Sequence, residues 1–194
     1  MNLRTLCSLS VAALLLIGTT SCTAYRATTT TRTGIEQALM SQSAKESLSS
    51  FSVTDLAGKT FKIDDSALVS SDKDVIKALL EQRLLADGMN KGGDDAEVTI
   101  RPIAEVSAVD DSELLFGIPA IGVPTPGGIV GLPELAFFKR DPQRGRNKIT
   151  ILGTDTTTGE ELKNHEGAFA SRYFVRHKIL LFFAYNNSNL GKPY

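Results

Sequence analysis

The stretch that decides the fold is residues 71–87, SDKDVIKALLEQRLLAD, lying between KTFKID at 59–64 and AEVTIRPIAEVSAV at 96–109. Val75, Ile76, Leu79, Leu80, Leu84 and Leu85 place apolar groups on one broad helical face. Ser71 is the expected N-cap, with Asp74 completing an acidic variant of the capping box. Gly88 suits the position after the last turn. Before the helix, Phe61 and Ile63 alternate with Thr60 and Lys62, the period of a half-buried strand. After it, Val98, Ile100, Ile103 and Val106 read as a second strand that Pro102 interrupts. Strand, helix and strand in that order predict parallel neighbours joined by a helical crossover. The expected fold class is therefore α/β, with α+β as the alternative: a small mixed sheet, a C-terminal hairpin and a long apolar insertion.

That insertion is residues 112–140, SELLFGIPAIGVPTPGGIVGLPELAFFKR. It contains Pro119, Pro124, Pro126 and Pro133, with Gly117, Gly122, Gly127, Gly128 and Gly131. Proline cannot donate to a strand ladder and glycine weakens one, so the stretch predicts neither a regular helix nor a central strand. It is too apolar for a solvated loop and needs a cover, from its own domain or from outside. Phe116, Ile118, Ile121, Phe137 and Phe138 are the candidate interface residues.

Residues 34–51 read as a helix rich in serine, with Ile35, Ala38, Leu39, Ala44 and Leu48 near one face. RDPQRGRNK at 140–148 reads as a basic solvated loop, with binding to anionic lipid or a cell-wall polymer as the alternative. Residues 149–157 predict a hairpin arm that turns at 155–159, with Gly159 at a left-handed position. Residues 179–185, ILLFFAY, have the length and aromatic content of a buried strand, and 186–194 read as a polar tail.

The N-terminus sets the compartment. Arg4 precedes an apolar segment, LCSLSVAALLLIG at 6–18, too short to span a bilayer. Thr19, Thr20 and Ser21 then lead to Cys22. This resembles the lipobox of bacterial lipoproteins, which implies that Cys22 is acylated and begins the mature chain. Thr19 stands where that pattern usually has leucine. A plain secretory signal cut near Ser21 or Ala24 is the alternative. The mature chain has no other cysteine, so a disulfide cannot explain Cys22. Thr23 offers no acidic inner-membrane retention signal, so the expected place is the periplasmic face of the outer membrane. The expected organisation is a signal peptide at 1–21, a threonine-rich tether at 22–33, one α/β domain at 34–185 and a tail at 186–194.

LAGKTFKIDD, the helix ending LLADG, the strand AEVTI and the turn DTTTGEE resemble the α/β domain of several periplasmic-side lipoproteins. That group includes the curli-secretion lipoprotein and the lipoprotein activator of penicillin-binding proteins. RTGIEQ, the GIP segment and FFKRDPQRGRNKI resemble more closely an uncharacterised bacterial envelope lipoprotein family, over most of residues 30–175. The resemblance implies fold and location, and brings no activity with it.

Net charge is −1, and removing residues 1–21 takes Arg4 and no acid, giving −2. That argues against a nucleic-acid binder relying on phosphate neutralisation. His165 and His177 are the only histidines, and no Gly-x-Ser-x-Gly elbow exists. The glycines at 127–131 lack the Lys-Ser/Thr of a phosphate loop. The carboxylate pairs Asp64–Asp65, Asp94–Asp95 and Asp110–Asp111 fall at turns or strand ends, where Asp bonds backbone. No catalytic, cofactor-binding or metal-ligating residue is therefore expected. The sequence points to a non-enzymatic, lipid-anchored protein that binds an envelope partner or itself. A small-ligand or cell-wall-binding module is the alternative.

Overall fold

The computed structural model describes residues 32–191. The expected signal peptide, Cys22 and nearly all of the expected tether lie outside the described residues, as do the last three residues of the chain. Helices α1 (Gly34–Ser49) and α2 (Lys73–Ala86) accompany ten strands. These are β1 (Thr60–Ile63), β2 (Asn90–Lys91), β3 (Val98–Asp111), β4 (Leu114–Ile118) and β5 (Ile121–Thr125). Next come β6 (Gly128–Leu132), β7 (Leu135–Asp155), β8 (His165–Glu166), β9 (Ala170–Ile179) and β10 (Phe183–Ser188). The main sheet runs β10-β9-β7-β3-β1-β2, with β4 and β8 also paired to β7, while β5 and β6 form a separate ribbon. The class is mixed α/β, as the sequence indicates.

The strand–helix–strand unit is present. β1 and β3 are parallel, with Phe61 opposite Val98 and Ile63 opposite Ile100. The buried face of α2 is narrower than six aliphatics suggest: Ile76, Leu80 and Leu84 are buried, whereas Val75 and Leu85 are exposed. The three buried side chains sit four apart, one turn each, and contribute about 5–9 kcal/mol before ordering costs. Asp72, not Ser71, occupies the N-cap, without a side-chain cap bond. The Ser71 hydroxyl is engaged instead by Arg32, which also pairs with Asp72. A capping box does form on α1, where Thr33 and Glu36 exchange bonds.

α1 packs on β7 through serines. Ser43 and Ser47 are fully buried. The Ser43 hydroxyl donates to the Leu39 carbonyl at 2.6 Å and accepts from the Asn147 amide at 2.7 Å. Ser47 accepts from the Ile149 backbone N–H at 3.1 Å. Small side chains let the backbones approach. A Cβ on Gly145 would lie 2.6 Å from the Leu39 carbonyl oxygen. Ala44 and Leu48 complete a core with Phe61, Val98, Ile100, Ile149, Ile151 and the α2 residues.

Three expectations are overturned. Residues 140–148 are not a loop but the middle of β7, paired to β3 and β9 on its two edges. Pro142 fits there because its missing donor falls at the break between β3 and β4, where Ser112 N–H donates to the Pro142 carbonyl. Residues 179–185 are not a buried strand. Ile179 ends β9, residues 180–182 turn, and Phe183, Ala184 and Tyr185 begin β10, with Leu180, Leu181, Phe182, Phe183 and Tyr185 exposed. The polar tail begins later than 186, since Asn186–Ser188 pair with β9 and the Asn189 side chain accepts from Tyr173 N–H.

Gly145→Ala forces α1 off β7 and is expected to destabilise by about 1–3 kcal/mol in urea unfolding. Gly127→Ala, which meets nothing within 4 Å, is expected to stay within about 0.5 kcal/mol of the parent. Equal stability of the two variants would refute the close approach as a constraint.

Candidate interaction surface

The apolar insertion is built as a β-arm. β3 and β4 climb the same edge of β7, from Val98 opposite Asp155 to Ile118 opposite Leu135. β5 and β6 then extend the hairpin, with Ile121 opposite Leu132 and Val123 opposite Val130. Pro126 and Gly127 form the end turn, where the Thr125 hydroxyl donates to the Gly128 carbonyl at 2.7 Å. The prolines are placed by the ladder. Pro119 and Pro133 fall in gaps on opposite strands at one level, which makes a joint between the β4–β7 root and the outer ribbon. Pro124 sits in a ribbon with two free edges, where an absent donor is tolerated. The four prolines of the insertion thus lie outside any central strand, as the sequence indicates, and an arm accommodates them.

Near the root, the register shifts between Phe116 and Gly117, and Phe137 is the extra residue. Gly117 is required there, since a Cβ would lie 2.1 Å from the Leu135 carbonyl oxygen. Phe116 and Phe137 meet as tilted rings 6.5 Å apart. Of the five candidate residues, Phe116, Ile118, Ile121 and Phe137 are exposed, and Phe138 is half-buried. Phe116 is 71% exposed and Ile129, near the end turn, 79%. Residues 114–133 contain no charged side chain and one hydroxyl, that of Thr125.

The β9–β10 turn joins this surface. The N–H groups of Leu180 and Leu181 donate to the carbonyls of Phe137 and Ala136 at 2.9 and 3.0 Å. These bonds fix Leu180, Leu181 and Phe182 beside the arm root, with Phe182 86% exposed. Behind them the His177 ring stacks on Tyr185 at 4.6 Å. This half of the surface carries no local sequence signal, because leucines stand where glycine or asparagine normally marks a turn.

A charged girdle closes the root. Lys139, 14% exposed, reaches Glu134 at 2.7 Å, Glu113 at 3.1 Å and Asp141 at 4.0 Å. Burial works against its charge, but the bonds to Glu134 and Glu113 outweigh it and hold the ammonium above its usual range. Arg146 pairs with Asp110 at 2.7 Å. Arg140, Arg144 and Lys178 are exposed, without a salt bridge among the described residues. Arg140, Pro142, Arg144 and Arg146 line an open cleft with Asp110, Asp111 and Ser112.

The other polar candidates serve the fold. His165 is buried with its Nε2 3.7 Å from an Asp55 oxygen, and Phe51 lies beside its ring. It shares no element with His177. Among the described residues no group of His, Cys, Asp or Glu is arranged to hold a metal ion. Asp64 accepts from Ser66 N–H at 3.1 Å and from Arg101 at 2.9 Å. The Ser66 bonds, with the Arg101 contact, lower its pKa from 3.8 to about 2. No protein-family model matches the chain, and no curated protein matches it significantly.

Lys139→Met leaves Glu113 and Glu134 without their cation and is expected to cost about 1–2 kcal/mol in denaturant unfolding. Asp64, lowered in the folded state, contributes stability that is complete above pH 3.8 and lost as pH falls toward about 2. Acid titration of Asp64→Asn, followed by circular dichroism, is expected to show a shallower loss over that window than the parent. Identical acid limbs would contradict the assignment.

Proposed function

We propose that this chain is a non-enzymatic, lipid-anchored protein of the bacterial cell envelope. It is held through Cys22 at the periplasmic face of the outer membrane and acts as an assembly factor. Its contact surface is the root of the arm, where Phe116, Ile118 and Phe137 adjoin Leu180, Leu181 and Phe182. The observation that carries this reading is the continuity of these exposed side chains. Two separate hairpins are tied together by backbone bonds to present them, and soluble monomers rarely leave a contiguous apolar surface of this kind uncovered. Support for the anchor comes from the segment before Cys22, whose apolar run is of signal-peptide length.

Two measurements test the proposal. Cys22→Ser is expected to move the protein out of the membrane-pelleted fraction into an acyl-free, soluble-sized form and to abolish palmitate incorporation; unchanged incorporation overturns the anchor. A photo-crosslinking residue at Phe116 is expected to give a discrete protein adduct in intact envelopes, with a matched residue at Thr158 giving none. An adduct at twice the chain's mass identifies the partner as a second copy. Absence of any adduct from Phe116, Ile118 and Phe182 refutes protein contact at the root.

A further inference from the structure

At the level of the arm root the sheet is four strands wide, in the order β4-β7-β9-β10. One row across it reads Leu115, Lys139, Lys178, Ala184. β4 and β10 are outermost, and among the described residues no strand pairs with their outer edges. An open edge is a template for another strand. The other edges of this sheet are guarded. β2 and β8 are two residues long. β3 beyond β1 carries Pro102, the acid Glu105 and a register shift between Ala104 and Val106. β10 holds neither proline nor charge over six residues, and β4 holds neither over five.

The two open edges fit each other. The four strands alternate in direction, so β4 and β10 run antiparallel. Polarity changes along both at one level. Residues 111–113, DSE, stand level with 186–188, NNS, and residues 114–116, LLF, with 183–185, FAY. The backbones are in phase as well. The N–H of Ser112 donates to the Pro142 carbonyl, that of Leu180 to Phe137 and that of Asn189 to Tyr173, at 3.2, 2.9 and 3.2 Å. Bonded and non-bonded pairs alternate along an antiparallel ladder. These bonds therefore turn the N–H and C=O groups of Leu115 and of Ala184 outward.

We propose that the partner at the arm root is a second copy of this chain, β4 of one copy adding to β10 of the next with Leu115 opposite Ala184. The proposal rests on the reading of the root as a contact surface and names what it contacts. In that register Phe116 stands beside the next copy's Phe183, and Leu114 beside its Tyr185. These are non-hydrogen-bonded pairs, in which side chains come closest. Asp111 and Glu113 meet Ser188 and Asn186 of the next copy, whose side chains can donate to them. Pairing like edges does worse. β10 against β10 joins three apolar rows about Ala184, or crosses apolar with polar residues about Asn186. β4 against β4 joins three rows about Leu115 before the register shift at Gly117. Head-to-tail pairing matches all six residues of β10. Such a contact is heterologous and leaves each end free for a further copy, so assembly runs past a dimer.

The test uses the full mature chain carrying Cys22→Ser, which contains no other cysteine. Leu115→Cys and Ala184→Cys are added to it, singly and together, and oxidised with copper–phenanthroline. Opposed residues in a hydrogen-bonded pair lie about 5.5 Å apart at Cα, within disulfide reach. Inside one chain the same positions are three strand spacings apart, about 14 Å, which excludes an internal bond. The double variant is expected to give non-reducing bands at two, three and more chain masses. The two single variants mixed are expected to give a dimer, while either alone gives none. Sedimentation of the chain without added cysteines does not depend on those variants folding, and is expected to show more than two copies. Ala184→Pro, which removes only an outward N–H, is expected to sediment as a monomer with the parent's circular dichroism spectrum. The proposal is overturned if the parent is a monomer or stops at a dimer, or if the mixed single variants give no dimer. A Phe116 adduct to a protein of another mass, with a monomeric parent, keeps the contact surface and removes the pairing.

Discussion

One strand, β7, carries both the core and the arm. Its last residues bury Ile149 and Ile151, and its first present Leu135 and Phe137 to the outside. Because side chains alternate along a strand, a shift of one residue would turn every group to the wrong face. The register is pinned where α1 crosses: Gly145 admits the Leu39 carbonyl, and Asn147 bonds Ser43. A slip there would drive a side chain into the helix and turn Asn147 toward the open face. The same contact that fixes the core therefore fixes which arm residues face which way.

What was legible in the sequence was what depends on local period. The β1–α2–β3 unit follows from alternation around Phe61 and a helical stripe through Ile76, Leu80 and Leu84. The turn at Gly159 follows from its left-handed φ of 73°. α1 was harder, because its contact face includes Ser43 and Ser47, which count as polar until they are seen against Asn147 and Ile149. RDPQRGRNK misleads for a related reason. Its even positions, Arg140, Arg144, Arg146 and Lys148, face away from the helices, while the covered odd positions are Gly145 and Asn147. The two-residue period is present, but it is written in charge against small size and not in polar against apolar. The apolar arm residues could be named from sequence. Their union with the β9–β10 turn could not, because backbone bonds between distant segments create it.

The charged girdle and the uncharged arm divide the labour. Lys139 draws Glu113, Glu134 and Asp141 around one ammonium, which reduces the repulsion among three acids beside bare apolar chain. Arg140 and Arg144 remain exposed. Polarity thus changes within a few residues of Glu113 and Glu134, the kind of step found where a protein meets an interface between water and something drier.

The β9–β10 turn shows what this surface costs the fold. Leu180 and Leu181 hold φ of 48° and 68°, in the left-handed region that asparagine or glycine occupies with little strain. Each leucine there raises the energy by roughly 1–2 kcal/mol. The chain keeps its bulkiest aliphatic side chains at the two places where its backbone least favours them. Backbone ease and apolar exposure are consequently opposed at this turn: a change to glycine that relaxed the backbone would also remove the exposed leucine side chains.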